Sequence, residues 1–210
     1  MNDGSAPIGA AHYPHHNATP KSFHMTSRYS TNTTITTSIK AEDLAACAEL
    51  YESAFPADER RPTEEWTRYV QEKENFHVYP FFDTDAHELC GFISFWEFED
   101  FTYVEHFAIK ESYRGHGMGR MVFGIFLSLY DARSLPVILE VEPPTDDLTS
   151  SRIRFYERCG MSLLPYNYTQ PPYSPQQQPI PLRLMCSNWR TTEEQVKHFV
   201  QCIHKEVYGV

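Results

Sequence analysis

The chain has 210 residues, 41% of them hydrophobic, 22% charged and 14% aromatic, which suits one well-packed domain. A formal net charge of −10 without any Lys/Arg block argues against nucleic acid or an anionic membrane as the main partner and suits a cationic acceptor such as an amine. No stretch approaches the ~20 apolar residues of a membrane span, no secretory pattern opens the chain, and Cys47, Cys90, Cys159, Cys186 and Cys202, scattered and without a C-x-x-C pair, read as reduced thiols of a cytoplasmic protein.

Residues 1–31 are rich in His, Ser, Thr, Asn and Pro without an apolar period, and are expected to be a disordered tail. Its histidines (His12, His15, His16, His24) read as solvated. No Cys/His cluster with zinc spacing appears elsewhere, so no metal is expected. Order is expected from the β-rich run 34–39. Leu44, Cys47, Ala48, Tyr51 and Phe55 then fall on one stripe of a helix over 41–55. Glu59-Arg60-Arg61-Pro62 reads as a charged turn before a second helix that runs to about Asn75. Strands over 77–83, 90–99 and 101–109 form an antiparallel meander. A glycine-rich loop leads into a helix over 117–130, followed by a short buried strand, 137–141. A helix over 148–159 stops at Gly160, and 161–164 and 181–185 read as a last pair of strands. Between them lies a Tyr-, Pro- and Gln-rich loop. A closing helix over 192–208 carries Val196, Phe199, Val200, Ile203 and Val207 on one stripe. The order describes a mixed α/β domain around one sheet.

The chemistry is carried by Arg114-Gly115-His116-Gly117-Met118-Gly119. A glycine loop that leaves a strand and opens a helix binds phosphate, because first-turn N–H groups are unpaired and absent side chains allow close approach. The spacing is not the dinucleotide fingerprint, which needs its third glycine at Arg120, and no Gly-Lys-Ser/Thr of a P-loop follows. Arg114-x-x-Gly117-x-Gly119 resembles the Arg/Gln-x-x-Gly-x-Gly/Ala signature of the GNAT superfamily of N-acetyltransferases. Phe107-Ala108-Ile109 resembles that family's strand lead-in, and Phe155-Tyr156-Glu157-Arg158-Cys159-Gly160-Met161 resembles its Phe/Leu-Tyr-x-x-x-Gly-Phe segment. Thr149, Arg152 and Met161 depart from the family pattern.

The resemblance covers roughly residues 33–188 and implies a domain over 32–190, with 191–210 as a helix packed on the domain or on a partner. It also implies a mostly antiparallel central sheet whose fourth and fifth strands are parallel and splay apart, flanked by helices. The implied reaction is direct transfer of acetyl from acetyl-CoA, as co-substrate, to a primary amine. A small-molecule acceptor is favoured over a peptide, and a homodimer is compatible. The rival reading is a CoA-binding sensor with little turnover.

By the same resemblance Phe107 and Ile109 hold the pantetheine arm through their backbone, and Arg114, Gly115, Gly117, Met118, Gly119 and Arg120 bind the pyrophosphate. Tyr156 is the expected general acid for the departing thiolate, since a phenol is only slightly less acidic than the thiol. Glu105, with Tyr103 on the same strand face, is the expected base, directly or through water, or else the partner of an arginine in an ion pair. His106, on the opposite face by alternation, reads as a packed histidine. Glu140, Tyr168 and Tyr173 are expected at the acceptor side, as loops and strand ends on a rigid scaffold.

Overall fold

The computed structural model describes residues 22–26, 32–37, 39–57, 59–131, 133–188 and 190–210. The apolar stripe near the start of the domain folds as helix α1 (Ala41–Ala54), which buries Leu44, Cys47, Leu50 and Tyr51. Helix α2 (Thr63–Glu72) follows Pro62, with Glu64 and Glu65 at its positive end. It inserts a fully buried Trp66 that stacks on Tyr51 with ring centroids 4.8 Å apart. The helix ends before the expected Asn75, because Lys73 turns extended and the polar run behind it has no apolar residue to bury.

The meander is present as β3 (Phe76–Asp83), β4 (Glu88–Glu97) and β5 (Thr102–Ile109), paired antiparallel in sequence. Gly91 lets β4 and β5 approach, since a Cβ there would lie 2.3 Å from the Ala108 carbonyl oxygen. Strand β2 (Asn32–Thr36) pairs with β3, and β1 (Ser22–Thr26) pairs with β2 through five residues. The expectation of a disordered tail is corrected there: Ser22–Thr26 completes a β-hairpin whose backbone groups pair with β2. The remainder of the tail, with His12, His15 and His16, lies outside the described residues, as does the side chain of His24.

Helix α3 (Met118–Asp131) crosses from β5 to β6 (Val137–Val141), which lies parallel to β5. Helix α4 (Asp147–Arg158) opens on a capping box in which Asp146 accepts from the Thr149 N–H and the Thr149 hydroxyl oxygen accepts from the Asp146 N–H. Strands β7 (Ser162–Leu163), β8 (Tyr168–Gln170) and β9 (Ile180–Cys186) complete the sheet. Its order is β1-β2-β3-β4-β5-β6-β9-β7, with β8 hydrogen-bonded to β9 off that path. The region read as a loop therefore contains a short strand, and three residue pairs tie Tyr168–Gln170 to β9.

Helix α5 (Glu193–Ile203) opens on a Thr192/Gln195 capping box and passes into one π-helical turn, His204–Tyr208. It packs on the domain: Val196, Phe199, Ile203 and Val207 are buried with Phe101, Trp96 and Tyr51 in the core shared with α1 and α2. The opposite sheet face carries a second core, where Val122, Phe123 and Phe126 of α3 and Ile153 of α4 cover Ile93, Phe95 and Leu139. No helix among the described residues is long and apolar enough to cross a membrane.

Two local irregularities shape the functional centre. Strands β5 and β6 pair only over Thr102–Val104 against Val137–Leu139, so β5 beyond Val104 has no ladder partner on that side and the strands splay. On the other side, Ser94 opposes His106 while Phe95 opposes Val104, which leaves Glu105 as the extra residue of a β-bulge.

Candidate active site

The bulge overturns the alternation argument for this strand. Val104 and Phe107 face the α3 core, whereas Tyr103, Glu105 and His106 all face the α1 side. His106 is nonetheless a packed histidine. Only 4% exposed, it sits edge-on to Tyr51 and Phe55 with its Nδ1 3.5 Å from the Ser94 hydroxyl, and burial pushes its pKa down to about 4.

Glu105 is placed otherwise than a free base would be. Its side chain is fully buried, and Arg61, equally buried, donates to Oε1 from Nη2 at 2.5 Å and from Nε at 3.2 Å. The Trp96 indole N–H donates to Oε2 at 2.9 Å. Burial pushes this carboxyl up, but the Arg61 charge, with His106 and the hydrogen bonds, brings it below the usual carboxylate range. A carboxylate with both oxygens engaged and a lowered pKa is a weak proton acceptor. Glu105 is thus the counter-ion of Arg61, the second of the two readings its place on the strand allows, and this geometry does not suit the first. The accessible part of residue 105 is its main chain, which the bulge turns into the cleft.

Arg61 was read from sequence as part of a charged turn. Its guanidinium instead lies 4.6 Å from the Tyr69 ring centroid and 4.9 Å from that of Tyr173, and donates to the Val207 carbonyl at 3.3 Å. One buried cation therefore joins the α1–α2 connection, β5, the loop after β8 and the C-terminal turn.

A cleft of about 1060 Å³ runs between the splayed strands. At one end it is lined by Phe107, Ile109, Arg114, Gly115, Gly117, Met118, Gly119 and Arg120, all of the residues expected to bind cofactor. Gly115 and Gly117 take φ of +81° and +79°, a region open to glycine and costly for other residues. Gly117 accepts the first helical hydrogen bond, from Met121, so the N–H groups of Met118, Gly119 and Arg120 have no intrahelical acceptor and form the positive end of α3. The Met118 side chain itself is core; its contribution to the loop is backbone. Arg114 donates from Nε to the Ile109 carbonyl at 2.8 Å, which ties the loop to the end of β5. Anion-ready amides, absent side chains and an unpaired strand edge fit a pyrophosphate followed by an extended amide-containing arm.

Tyr156 lines the middle of the cleft, packed against Phe123 and Phe155, and burial raises its pKa to about 12. The departures at the α4 start have local explanations. Thr149 belongs to the capping box, and Arg152 forms an ion pair with Glu142 across the cleft mouth.

The far end holds Glu140, which also lines the cleft. The Tyr168 hydroxyl donates to its Oε1 at 2.5 Å, and the Tyr208 hydroxyl lies 3.0 Å from Oε2 and 3.3 Å from Oε1. The Tyr103 and Tyr173 hydroxyls lie 3.1 and 3.5 Å from that of Tyr208. Burial pushes the Glu140 pKa up to about 7, and the hydrogen bonds from Tyr168, Tyr208 and Tyr103 temper that rise. The expected acceptor residues Tyr103, Glu140, Tyr168 and Tyr173 therefore converge. Tyr103 and Tyr168 sit behind the cleft wall, while Glu140 and Tyr173 face it. Tyr208 was missed: one sequence offers no signal for a tyrosine lying beside, not on, the apolar stripe of its helix. Among the described residues no group of His, Cys, Asp and Glu is arranged to hold a metal ion.

Comparison with known proteins agrees with this geometry. A candidate GNAT-family acetyltransferase from Bacteroides thetaiotaomicron superposes with a TM-score of 0.74 at 33% identity, covering 84% of this chain and 98% of that one. A chimeric spermidine N-acetyltransferase from Vibrio cholerae SpeG and hSSAT gives a TM-score of 0.58 at 14% identity over 80% of this chain and 98% of that one, a likeness of fold alone. A candidate acetyltransferase of Bacillus subtilis (strain 168), YjbC, is 27% identical over 106 residues, half of this chain and half the length of that curated relative. The profile of the acetyltransferase (GNAT) family matches residues 44–161, from α1 through the glycine loop to the end of the Tyr156 segment, more than half of the chain. With splayed strands, bulge and glycine loop in place, the chain belongs to the GNAT acetyltransferase family.

Proposed function

We propose that this protein transfers the acetyl group of acetyl-CoA to a primary amine by direct attack in a ternary complex. The observation that carries the reading is one continuous cleft that joins the glycine-loop amides to the half-buried carboxylate of Glu140. Acetyl-CoA supplies the activated thioester. Gly115, Gly117, Gly119 and Arg120 hold its pyrophosphate, and the backbone of Phe107 and Ile109 aligns its arm along the unpaired edge of β5.

The incoming amine is mostly protonated near neutral pH, so a proton must leave before attack. Glu140 takes that role, reassigned from Glu105: its pKa near 7 matches the working range of a general base. Two tyrosine hydroxyls orient its carboxylate, and a carboxylate's further lone pairs leave it room to accept from an ammonium. Tyr156, held protonated by burial, donates to the departing thiolate. The main chain at the bulge faces the same stretch of cleft and is placed to polarise a carbonyl there.

The acceptor end is bounded by Phe55, His106, Gln170 and Tyr173, with the C-terminal turn behind them. This enclosure supports a small amine over a folded protein as acceptor. The cysteines present as free thiols support action in a reducing compartment, the cytoplasm.

The test is thiol release from acetyl-CoA against polyamines, amino acids, aminoglycosides, arylalkylamines and short peptides. Amine-dependent release that falls about 100-fold or more in Glu140→Gln supports the assignment, as does a loss in Tyr156→Phe. Tight coenzyme A binding without release for any amine would favour a sensor on this fold. Absence of coenzyme A binding would sink the reading altogether.

A further inference from the structure

Glu140 owes its position to a part of the chain outside the family match. That match ends at residue 161, yet Tyr208, in the π-helical turn at the end of α5, touches both oxygens of the carboxylate. A π turn widens the helix by one residue. Here Val207 goes into the core, its carbonyl accepts from Arg61, and the Tyr208 hydroxyl reaches β6.

Proton counting constrains the network. A tyrosine hydroxyl has one proton to give and two lone pairs to accept with. With the Tyr208 proton on Glu140, its oxygen is left to accept: the Tyr173 hydroxyl at 3.5 Å can donate to it, and the Tyr103 hydroxyl, 3.1 Å away, divides its one proton between the Tyr208 oxygen and Glu140. Tyr208 thus gathers hydroxyls from β5 and from the loop after β8 and points them at one carboxylate. Chains of this kind polarise one another, so the terminal bond is stronger than an isolated one.

We infer that Tyr208 is a positioning residue for the acceptor-side base: it orients the Glu140 carboxylate and holds it in its ionised form when the amine arrives. This rests on the reading of Glu140 as base. The groups that face Glu140 are Tyr103 and Glu105 of β5, Tyr168 of β8, Tyr173 of the following loop and Tyr208 itself, with Arg61 neutralising Glu105. All but Arg61 and Glu105 are phenols pushed above their ordinary range by burial, so Glu140 is the group among them that changes charge near neutral pH.

The experiment is the pH dependence of kcat for full-length Tyr208→Phe beside wild type and Glu140→Gln, with an acceptor from the active panel. Wild-type kcat rises with pH as Glu140 loses its proton. Tyr208→Phe keeps the ring and removes one donor to the carboxylate, so the acidic limb moves up by on the order of one pH unit while the alkaline plateau and the KM for acetyl-CoA change little. A limb that stays in place, or a loss of kcat that is uniform across pH, overturns the inference and reduces Tyr208 to packing. Full activity in Glu140→Gln removes the base reading itself, an outcome distinct from an inert Tyr208. Should Tyr208→Phe fail to fold, Tyr173→Phe, which withdraws a hydroxyl that reaches Glu140 through Tyr208, is expected to move the limb in the same direction by a smaller step. An unmoved limb there overturns the inference equally.

Discussion

The two ends of the cleft are built by different means. The donor end is nearly contiguous in sequence: the end of β5, a 3-10 turn at Glu111–Tyr113, the loop Arg114–Gly117 and the first turn of α3. Its working groups are backbone amides, positioned by two left-handed glycines and a helix start. The acceptor end draws Arg61, Glu105, Glu140, Tyr168, Tyr173 and Tyr208 from six places spread over almost 150 residues. Its working groups are side chains, several of them buried and ionisable. A contiguous backbone site depends on local geometry, whereas a dispersed side-chain site depends on the packing of the whole domain, so the two should fail in different ways.

The largest expected effect is at the hub of the dispersed end. Arg61→Ala leaves the Glu105 carboxylate buried without its counter-ion and is expected to cost about 3–5 kcal/mol of stability, read from urea unfolding. A change under about 1 kcal/mol would mean that the pair is solvated in solution and that the acceptor end is less integrated than described.

The next effect is a change in how stability depends on pH. His106, lowered to about 4 from an ordinary 6.5, contributes stability that is present above about 6.5 and lost as pH falls towards 4. Glu140, raised to about 7 from an ordinary 4.5, has the opposite sign: its contribution is present below about 4.5 and lost as pH rises through 7. Between these limits the two slopes are opposite in sign. Glu140→Gln removes one of them, so its unfolding free energy relative to wild type should climb by up to about 1.4 kcal/mol per pH unit between pH 4.5 and 6.5. Parallel profiles for wild type and variant would contradict the assignment of Glu140 as a half-buried carboxyl with a raised pKa.

At the donor end the expected effect is smaller and falls on coenzyme A binding and on the glycine loop itself. Gly117→Ala forces a side chain into φ of +79°, a strain of roughly 1–2 kcal/mol. Coenzyme A affinity should fall about 5- to 30-fold by calorimetry, while the acidic limb of the kcat profile stays where it is. A shifted limb would show that the two ends are coupled, against the separation drawn above.

Much of the donor end was legible in the residues. Gly115-x-Gly117-x-Gly119 between an apolar strand and an amphipathic helix states its own geometry, because positive φ and an unpaired helix start are local properties. The stripes of α1, α3 and α5 and the meander were legible for the same reason, since periodicity records which face is buried. At the acceptor end, Glu140, Tyr103, Tyr168 and Tyr173 could be nominated by resemblance and strand position, but not their mutual contacts.

Only the tertiary structure decided the rest. The extra residue at Glu105 arises in the pairing of β5 with β4 and turns Glu105 and His106 to one side, a choice that alternation along a single strand cannot express. It sends Glu105 to Arg61, while Glu140, on the next strand, faces the cleft among the tyrosine hydroxyls. The role of Tyr208 depends on a helix 68 residues beyond Glu140 in the chain and on one widened turn. Sequence fixes what is local in φ, ψ and periodicity, whereas the protonation state of a buried carboxylate depends on every group that surrounds it, and those groups meet only once the chain has folded.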